Sequence, residues 1–180
     1  KEGTKKMQVR TAVEMDMRKV KRLYKKAFPA IERRPFFMLK QKDKLLVLDD
    51  GEFSGFFSLA SWEDILYVEY YAVSKERRGR KYGSKGLEEL KKLYPDRRIF
   101  LEIERLDPAA KNAVQRKRRK AFYLRNGFES SGIFANVKGC DYELLCLNGK
   151  ITYEEYQKVL EASMGERLYK KANVREIEPE

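Results

Sequence analysis

The side chains best equipped for chemistry gather in one basic turn and on two apolar runs beside it. Arg77, Arg78, Gly79, Arg80, Lys81, Tyr82, Gly83 and Ser84 follow the apolar run 65–73 after Ser74-Lys75-Glu76. Glycines let a backbone come close to a ligand. If a helix opens at about Gly83 to Ser84, its unpaired amides and partial positive charge face the same turn as the cations. That combination suits an anion with several phosphate oxygens, although a solvated arginine turn would look much the same. Glu69 interrupts the apolar run 65–73, and Glu102 and Glu104 interrupt 98–106. A carboxylate on such a strand is costly unless paired or used. Glu69 is therefore the first candidate for a general base, with Glu102 and Glu104 as rivals acting through water. Pairing of these glutamates with Arg98, Arg105 or a basic helix is the structural alternative, and a bulge in 65–73 would reverse the face Glu69 occupies.

The inventory excludes several classes. The chain has no histidine, so Ser-His-Asp and Cys-His hydrolysis and imidazole-ligated metal chemistry are ruled out. Its two cysteines, Cys140 and Cys146, are too few for a disulfide framework or a zinc site and read as free thiols. Proton transfer must then fall to Glu, Asp, Tyr or Lys.

The elements that position these groups follow from periodicity. A short strand is expected over 9–13, then a helix capped by Asp16 that carries Val20, Leu23, Tyr24 and Ala27 on one face and stops at Pro29. Its other face is almost wholly Lys and Arg and reads as solvated. Pro35 starts a short helix with Phe36, Phe37 and Leu39. Residues 44–48 and 53–59, joined at Asp49-Asp50-Gly51, form a hairpin, and 65–73 is the third strand of the meander. The helix after the basic turn ends at Pro95. A strand at 98–106 must lie parallel to 65–73, because a helix intervenes. Asp107-Pro108 is expected to open a helix running to about Asn126, holding the densest basic run, Lys111 to Lys120. A final hairpin covers 128–134 and 142–147, and Thr152 with Glu155 forms a capping box for a last helix. The tail from Gly165 has no clear period.

With 180 residues, 42% of them hydrophobic, the chain is read as a single domain over 1–180, with a core at 8–148 and a helical extension at 149–180. No run approaches bilayer length and no signal-peptide pattern occurs, so a cytoplasmic protein without membrane contact is expected. The opening Lys1 lacks an initiator methionine and reads as a trimmed end. The net charge of +12 favours polyanionic partners. RNA binding through Lys111–Lys120 and the basic first helix is one such reading, but no aromatic residues suited to stacking interleave the later run.

Two separated segments carry a family resemblance. Ala72-Val73-Ser74 through Arg78-Gly79-Arg80-Lys81-Tyr82-Gly83-Ser84, and Ala121-Phe122-Tyr123-Leu124-Arg125-Asn126-Gly127-Phe128, together with the order of elements over residues 8–148, resemble the GNAT superfamily of N-acetyltransferases. The resemblance implies an α/β (α+β) fold, with an antiparallel N-terminal meander and a splayed parallel strand pair in a mixed central sheet flanked by helices. It implies acetyl-CoA as cofactor and a primary amine, small or peptidyl, as acceptor, attacked directly in a ternary complex. Transfer of another acyl group, or an RNA-binding protein on the same fold, are the alternatives. The diphosphate would sit at Arg78, Gly79, Arg80, Lys81, Tyr82, Gly83 and Ser84, and backbone groups of Tyr71 and Val73 would bond the pantetheine and the thioester oxygen. Tyr123 matches the family's general acid, with Glu69 and Glu102 as base candidates and no metal. Tyr67, Tyr70, Phe36, Phe37 and Tyr142 are candidates to line the acceptor pocket. Lys81 stands where the family places a glycine, so it must adopt positive φ or the loop must shift. Nothing in the sequence decides between a monomer and a homodimer.

Overall fold

The computed structural model describes residues 6–40 and 44–179. In chain order the elements are β1 (Gln8–Thr11), α1 (Met17–Ala27), α2 (Phe36–Lys40), β2 (Leu45–Asp49), β3 (Phe53–Trp62), β4 (Ile65–Val73), α3 (Tyr82–Leu93), β5 (Arg98–Glu104), α4 (Ala113–Arg125), β6 (Glu129–Val137), β7 (Cys140–Leu147), α5 (Tyr153–Met164), α6 (Glu166–Ala172) and β8 (Arg175–Ile177). The strands form one mixed sheet in the order β1-β2-β3-β4-β5-β7-β6-β8, which is the α/β arrangement expected. The chain clusters into two compact units, Lys1–Leu59 with Val68–Pro95, and Ala60–Tyr67 with Asp96–Glu180.

In the first unit β1 and β2 pair antiparallel, with Val9 opposite Leu48, and β2 pairs antiparallel with β3, with Val47 opposite Phe56. α1 places Val20, Leu23 and Tyr24 one above another at helical spacing. These pack with Leu39, Val47, Phe56, Tyr70 and Ala72 in one core cluster. The helix ends at Ala27 because Phe28 takes extended backbone ahead of Pro29. Asp16 precedes α1 but makes no side-chain cap to it. Its carboxylate instead accepts from the Val13 amide at 2.8 Å and from Arg10 at 2.8 Å, so it closes the 3-10 turn at Glu14–Asp16. The guanidinium holds this carboxyl below the usual range against the opposing effect of burial.

In the second unit the parallel ladder covers Ile65–Tyr67 against Arg98–Phe100, three positions of the nine in β4. β5 then pairs antiparallel with β7, β7 with β6, and β6 with β8. Ile65, Tyr67, Phe100, Leu144, Tyr156, Val159 and Leu160 share its core. Within this unit α5 contributes Tyr156, Val159 and Leu160 to the core and β8 adds a strand beside β6. The capping box forms as expected, the Glu155 amide donating to Thr152 Oγ1 at 3.1 Å and the Thr152 amide to Glu155 Oε2 at 2.8 Å. The expected start of α4 at Asp107-Pro108 is displaced to Ala113. Asp107 Oδ1 accepts from the Ala109 amide at 2.9 Å and its carbonyl from the Ala110 amide at 3.1 Å. This is a local turn competing with helix, the ordinary behaviour of an aspartate beside proline.

Candidate active site

The basic turn of the first unit leads the chain from β4 into α3. A 3-10 turn at Lys75–Arg77 leads to Gly79 at φ +75° and Lys81 at φ +60°, and Lys81 is the residue before the first turn of α3. Lys81 therefore takes the left-handed conformation that the position requires, at a cost of about 1 kcal/mol relative to glycine. No side chain caps α3 and its first turn holds no acidic residue, which leaves the amides of Tyr82, Gly83 and Ser84 turned toward the loop. A Cβ built on Gly79 meets nothing within 4 Å, so the space over the turn is open. Arg78, Arg80, Lys81 and Lys85 are exposed around it.

Arg77 does different work. Its guanidinium reaches Glu52 at 2.5 Å, Asp50 at 3.4 Å and Tyr82 Oη at 3.3 Å, while the Tyr82 hydroxyl donates to Asp50. Burial opposes ionisation of Asp50, but the hydrogen bonds from Tyr82 and Ser54 and the charge of Arg77 hold its carboxyl below the usual range. The turn between β2 and β3 thereby anchors the start of α3. A second anchor is Tyr71, whose ring stacks on Phe57 with centroids 4.0 Å apart and whose hydroxyl donates to the Gly83 carbonyl at 2.7 Å. Gly86 makes that approach feasible, since a Cβ there would sit 2.5 Å from Tyr71 Oη and 2.7 Å from Leu48 Cδ2. Val73 contributes its carbonyl to Arg78 Nε at 3.3 Å.

Glu69 is buried in an ion pair. Its carboxylate lies 3.0 Å from Arg34 Nη1 and accepts from Ser58 Oγ at 3.5 Å, with side-chain exposures of 1% for Glu69 and 8% for Arg34. Arg34 belongs to the segment between α1 and α2, which is pinned again where Tyr24 Oη accepts from the Arg34 amide at 2.7 Å and Tyr70 donates to the Glu32 carbonyl at 2.7 Å. Burial raises the phenols of both Tyr24 and Tyr70, so both remain donors. Glu69 meets Ser58 and Tyr70 packs with Phe56, two residues on one face of β3, while Tyr71 stacks on Phe57 of the other face. Strand alternation therefore breaks at Glu69–Tyr70, as a bulge makes it do. Strict alternation would have put Glu69 on the face of Tyr71.

In the second unit Glu102 accepts from the Tyr67 hydroxyl at 2.8 Å and from the Tyr156 hydroxyl. Burial and the neighbouring carboxylate push the Tyr156 phenol well up. Glu104 is held by the basic helix, with Arg119 at 3.0 Å, Arg116 at 3.4 Å and Asn112 at 3.1 Å. Lys120 pairs with buried Glu143 at 2.8 Å. Arg98 instead joins Asp64 at 2.7 Å and Glu155 at 2.8 Å, and the Arg105 guanidinium lies over Phe134. Much of the dense basic run is thus consumed inside the fold.

Tyr123 lies in the last turn of α4, half-buried, with Phe122 at 5.1 Å and Phe128 at 5.5 Å between ring centroids. Its carbonyl accepts from the Asn126 and Phe128 amides at 3.0 and 3.1 Å, with Gly127 at φ +92° turning the chain. Among the described residues its hydroxyl has no hydrogen-bond partner. Desolvation pushes the phenol up to about 12, with Arg119 opposing. Of the aromatic residues expected in an acceptor pocket, Tyr67 and Tyr70 are buried in the two cores, Phe36 and Phe37 line a groove beside α1, and Tyr142 stands opposite Glu104 in the β5–β7 register. No group of three metal-ligating side chains gathers among the described residues, and no helix there is long and apolar enough to cross a membrane.

Several known proteins resemble this chain. The model of the acetyltransferase (GNAT) family matches residues 9–128. YjbC of Bacillus subtilis (strain 168), named an acetyltransferase by inference, is 29% identical over 92 residues, covering 51% of this chain and 45% of YjbC; the chain spans about half the length of that relative. Among solved structures, a GNAT-family protein of Bacteroides thetaiotaomicron, also named by inference, superposes with a TM-score of 0.66 at 23% identity, covering 91% of this chain and 98% of its own. Arabidopsis thaliana Naa50, solved in complex with the bisubstrate analogue CoA-Ac-MVNAL, gives 0.58 at 14% identity, covering 79% and 99%. Matched over well more than half its length by the family model, and with the family's fold in its sheet, the chain belongs to the acetyltransferase (GNAT) family.

Proposed function

We propose that the protein is an acetyl-CoA-dependent N-acetyltransferase acting on a primary amine. The observation that carries this reading is the uncapped start of α3, where left-handed Lys81 and open Gly79 turn amides and cations toward one space. Those groups fit a diphosphate by charge and by donor count. When bound, acetyl-CoA supplies an acetyl thioester that the amine attacks directly with both substrates present. The residues assigned to hold it are Arg78, Gly79, Arg80, Lys81, Tyr82, Gly83 and Ser84, with backbone groups of Tyr71 and Val73 for the pantetheine arm.

Tyr123 is assigned as the acid. Its raised phenol keeps its proton through the neutral range, and a hydroxyl with no hydrogen-bond partner among the described residues can donate to the departing sulfur without breaking another bond. Glu102 is assigned as the base, reached through water, because its partners include two neutral phenols, Tyr67 and Tyr156. Glu69, the first candidate from sequence, is engaged by a guanidinium and is assigned instead to hold Arg34 and the segment between α1 and α2.

The test is release of free thiol from acetyl-CoA on adding a panel of small amines and peptides with free N-termini. At least one acceptor should raise the release rate saturably above hydrolysis, with the acetylated amine recovered in equal amount. Release that no amine accelerates would refute the assignment.

A further inference from the structure

Six of the eleven residues of α1, namely Arg18, Lys19, Lys21, Arg22, Lys25 and Lys26, are cationic and exposed. Among the described residues none of them forms an ion pair or a hydrogen bond; Lys19 and Lys26 act on Asp16 and Glu76 only through their longer-range charge. This contrasts with α4, where Arg116, Arg119 and Lys120 are bound to Glu104 and Glu143.

The α1 cations also stand beside exposed aromatic surface, which α1 itself lacks because its Tyr24 is buried. Pro35 sets α2 against α1, and the two helices enclose an open groove of about 530 Å³ lined by Glu14, Met17, Arg18, Lys21, Phe36, Phe37 and Lys40. Glu14 is already paired with Lys40 at 3.2 Å. Phe37 is 60% exposed, and Lys21 Nζ lies 5.6 Å from the centroid of the Phe36 ring. Lys25 continues the Lys21 face of α1 one turn beyond the groove.

We propose that the α1–α2 groove binds a single-stranded nucleic acid. The backbone phosphates run along Arg18, Lys21 and Lys25, and a base stacks on the exposed Phe37 ring. A row of cations that, among the described residues, pairs with no carboxylate complements a uniformly charged strand. The adjacent exposed aromatic supplies the sequence-tolerant platform such strands use. An acidic peptide would need only one or two of these cations, and a flat membrane surface would not fill a concave groove.

Fluorescence anisotropy of a labelled single strand of about ten nucleotides, at salt from about 50 to 200 mM, reads the proposal directly. The full chain should bind saturably, with log affinity falling linearly against log salt. The triple variant Arg18→Gln/Lys21→Gln/Lys25→Gln should bind roughly 10- to 100-fold more weakly, its salt slope reduced by about two, because each single-strand phosphate contact contributes about 0.7. Phe37→Ala should weaken binding at least about fivefold while leaving the slope unchanged. Lys117→Gln/Arg118→Gln on α4 should bind like the parent. All the replaced residues but Phe37 are solvated cations, and circular dichroism confirms that each variant is folded. Absence of saturable binding at micromolar protein overturns the proposal. So does a loss confined to the α4 variant, and so does displacement of the strand by phosphatidylserine vesicles or a polyglutamate peptide at lower concentration than by unlabelled strand.

Discussion

Tyr123→Phe is expected to lower kcat by about 100- to 10,000-fold, the usual worth of a positioned proton donor, with KM for the acceptor little changed. The substitution removes one oxygen that has no hydrogen-bond partner among the described residues, so thermal stability should stay within about 1 kcal/mol of the parent. A merely structural ring would leave both rate and stability alone. The pH profile adds a second check. Desolvation raises the phenol to about 12, so its acidic form is complete at neutral pH and is lost only as pH rises through that value. The parent should therefore show no fall in kcat from loss of this proton up to about pH 10. Stopped assays across pH on parent and variant decide the matter: equal rates would remove Tyr123 from the chemistry.

The second large effect concerns stability. Arg34→Met is expected to destabilise the fold by about 3–5 kcal/mol, because it strips a buried carboxylate of its guanidinium partner. For a chain of this size that corresponds to a fall in Tm of roughly 6–20 °C. Glu69 and Arg34 are 1% and 8% exposed, so water cannot replace the lost partner cheaply. The double variant Arg34→Met/Glu69→Leu should recover most of the loss, since removing both members of a buried pair is often close to neutral. Thermal or urea unfolding of the three proteins measures this. A loss below about 1 kcal/mol for Arg34→Met would show that the pair is not what holds the segment between α1 and α2.

Much of this architecture is legible in the chain because local rules agree with one another. The run Ile65–Val73, Pro29, Pro35 and Pro95 as stops and starts, and the Thr152–Glu155 box each act within a few residues. β4, α1, α2 and α5 accordingly fall where their spacing predicts. For Lys81 the family resemblance leaves two outcomes, positive φ or a shifted loop, and the chain takes the first.

What is not legible depends on distant partners or on a single misplaced residue. Asp107 chooses a turn over a cap through a bond to Ala109, and both outcomes satisfy the same sequence. β8 is three residues long and exists only because β6 offers an open edge. The face of Glu69 hinges on one break in alternation, which no hydropathy pattern marks. The Tyr82–Asp50 bond spans 32 positions and the Tyr156–Glu102 bond 54. Sequence singles out the glutamates as costly. Only the fold assigns Glu69 to Arg34, Glu104 to the helix α4, and Glu102 to a pair of tyrosines. Charge density likewise misleads, because the densest basic run is the one most neutralised.

The central claim, that the α3 turn holds the diphosphate of a coenzyme A thioester, is tested most directly by isothermal titration calorimetry of the folded protein with coenzyme A. The account predicts a saturable heat with one site per chain, diminished when Arg78 and Arg80 are both replaced by alanine. Absence of any binding heat at millimolar coenzyme A, with the protein shown to be folded in the same cell, would contradict it.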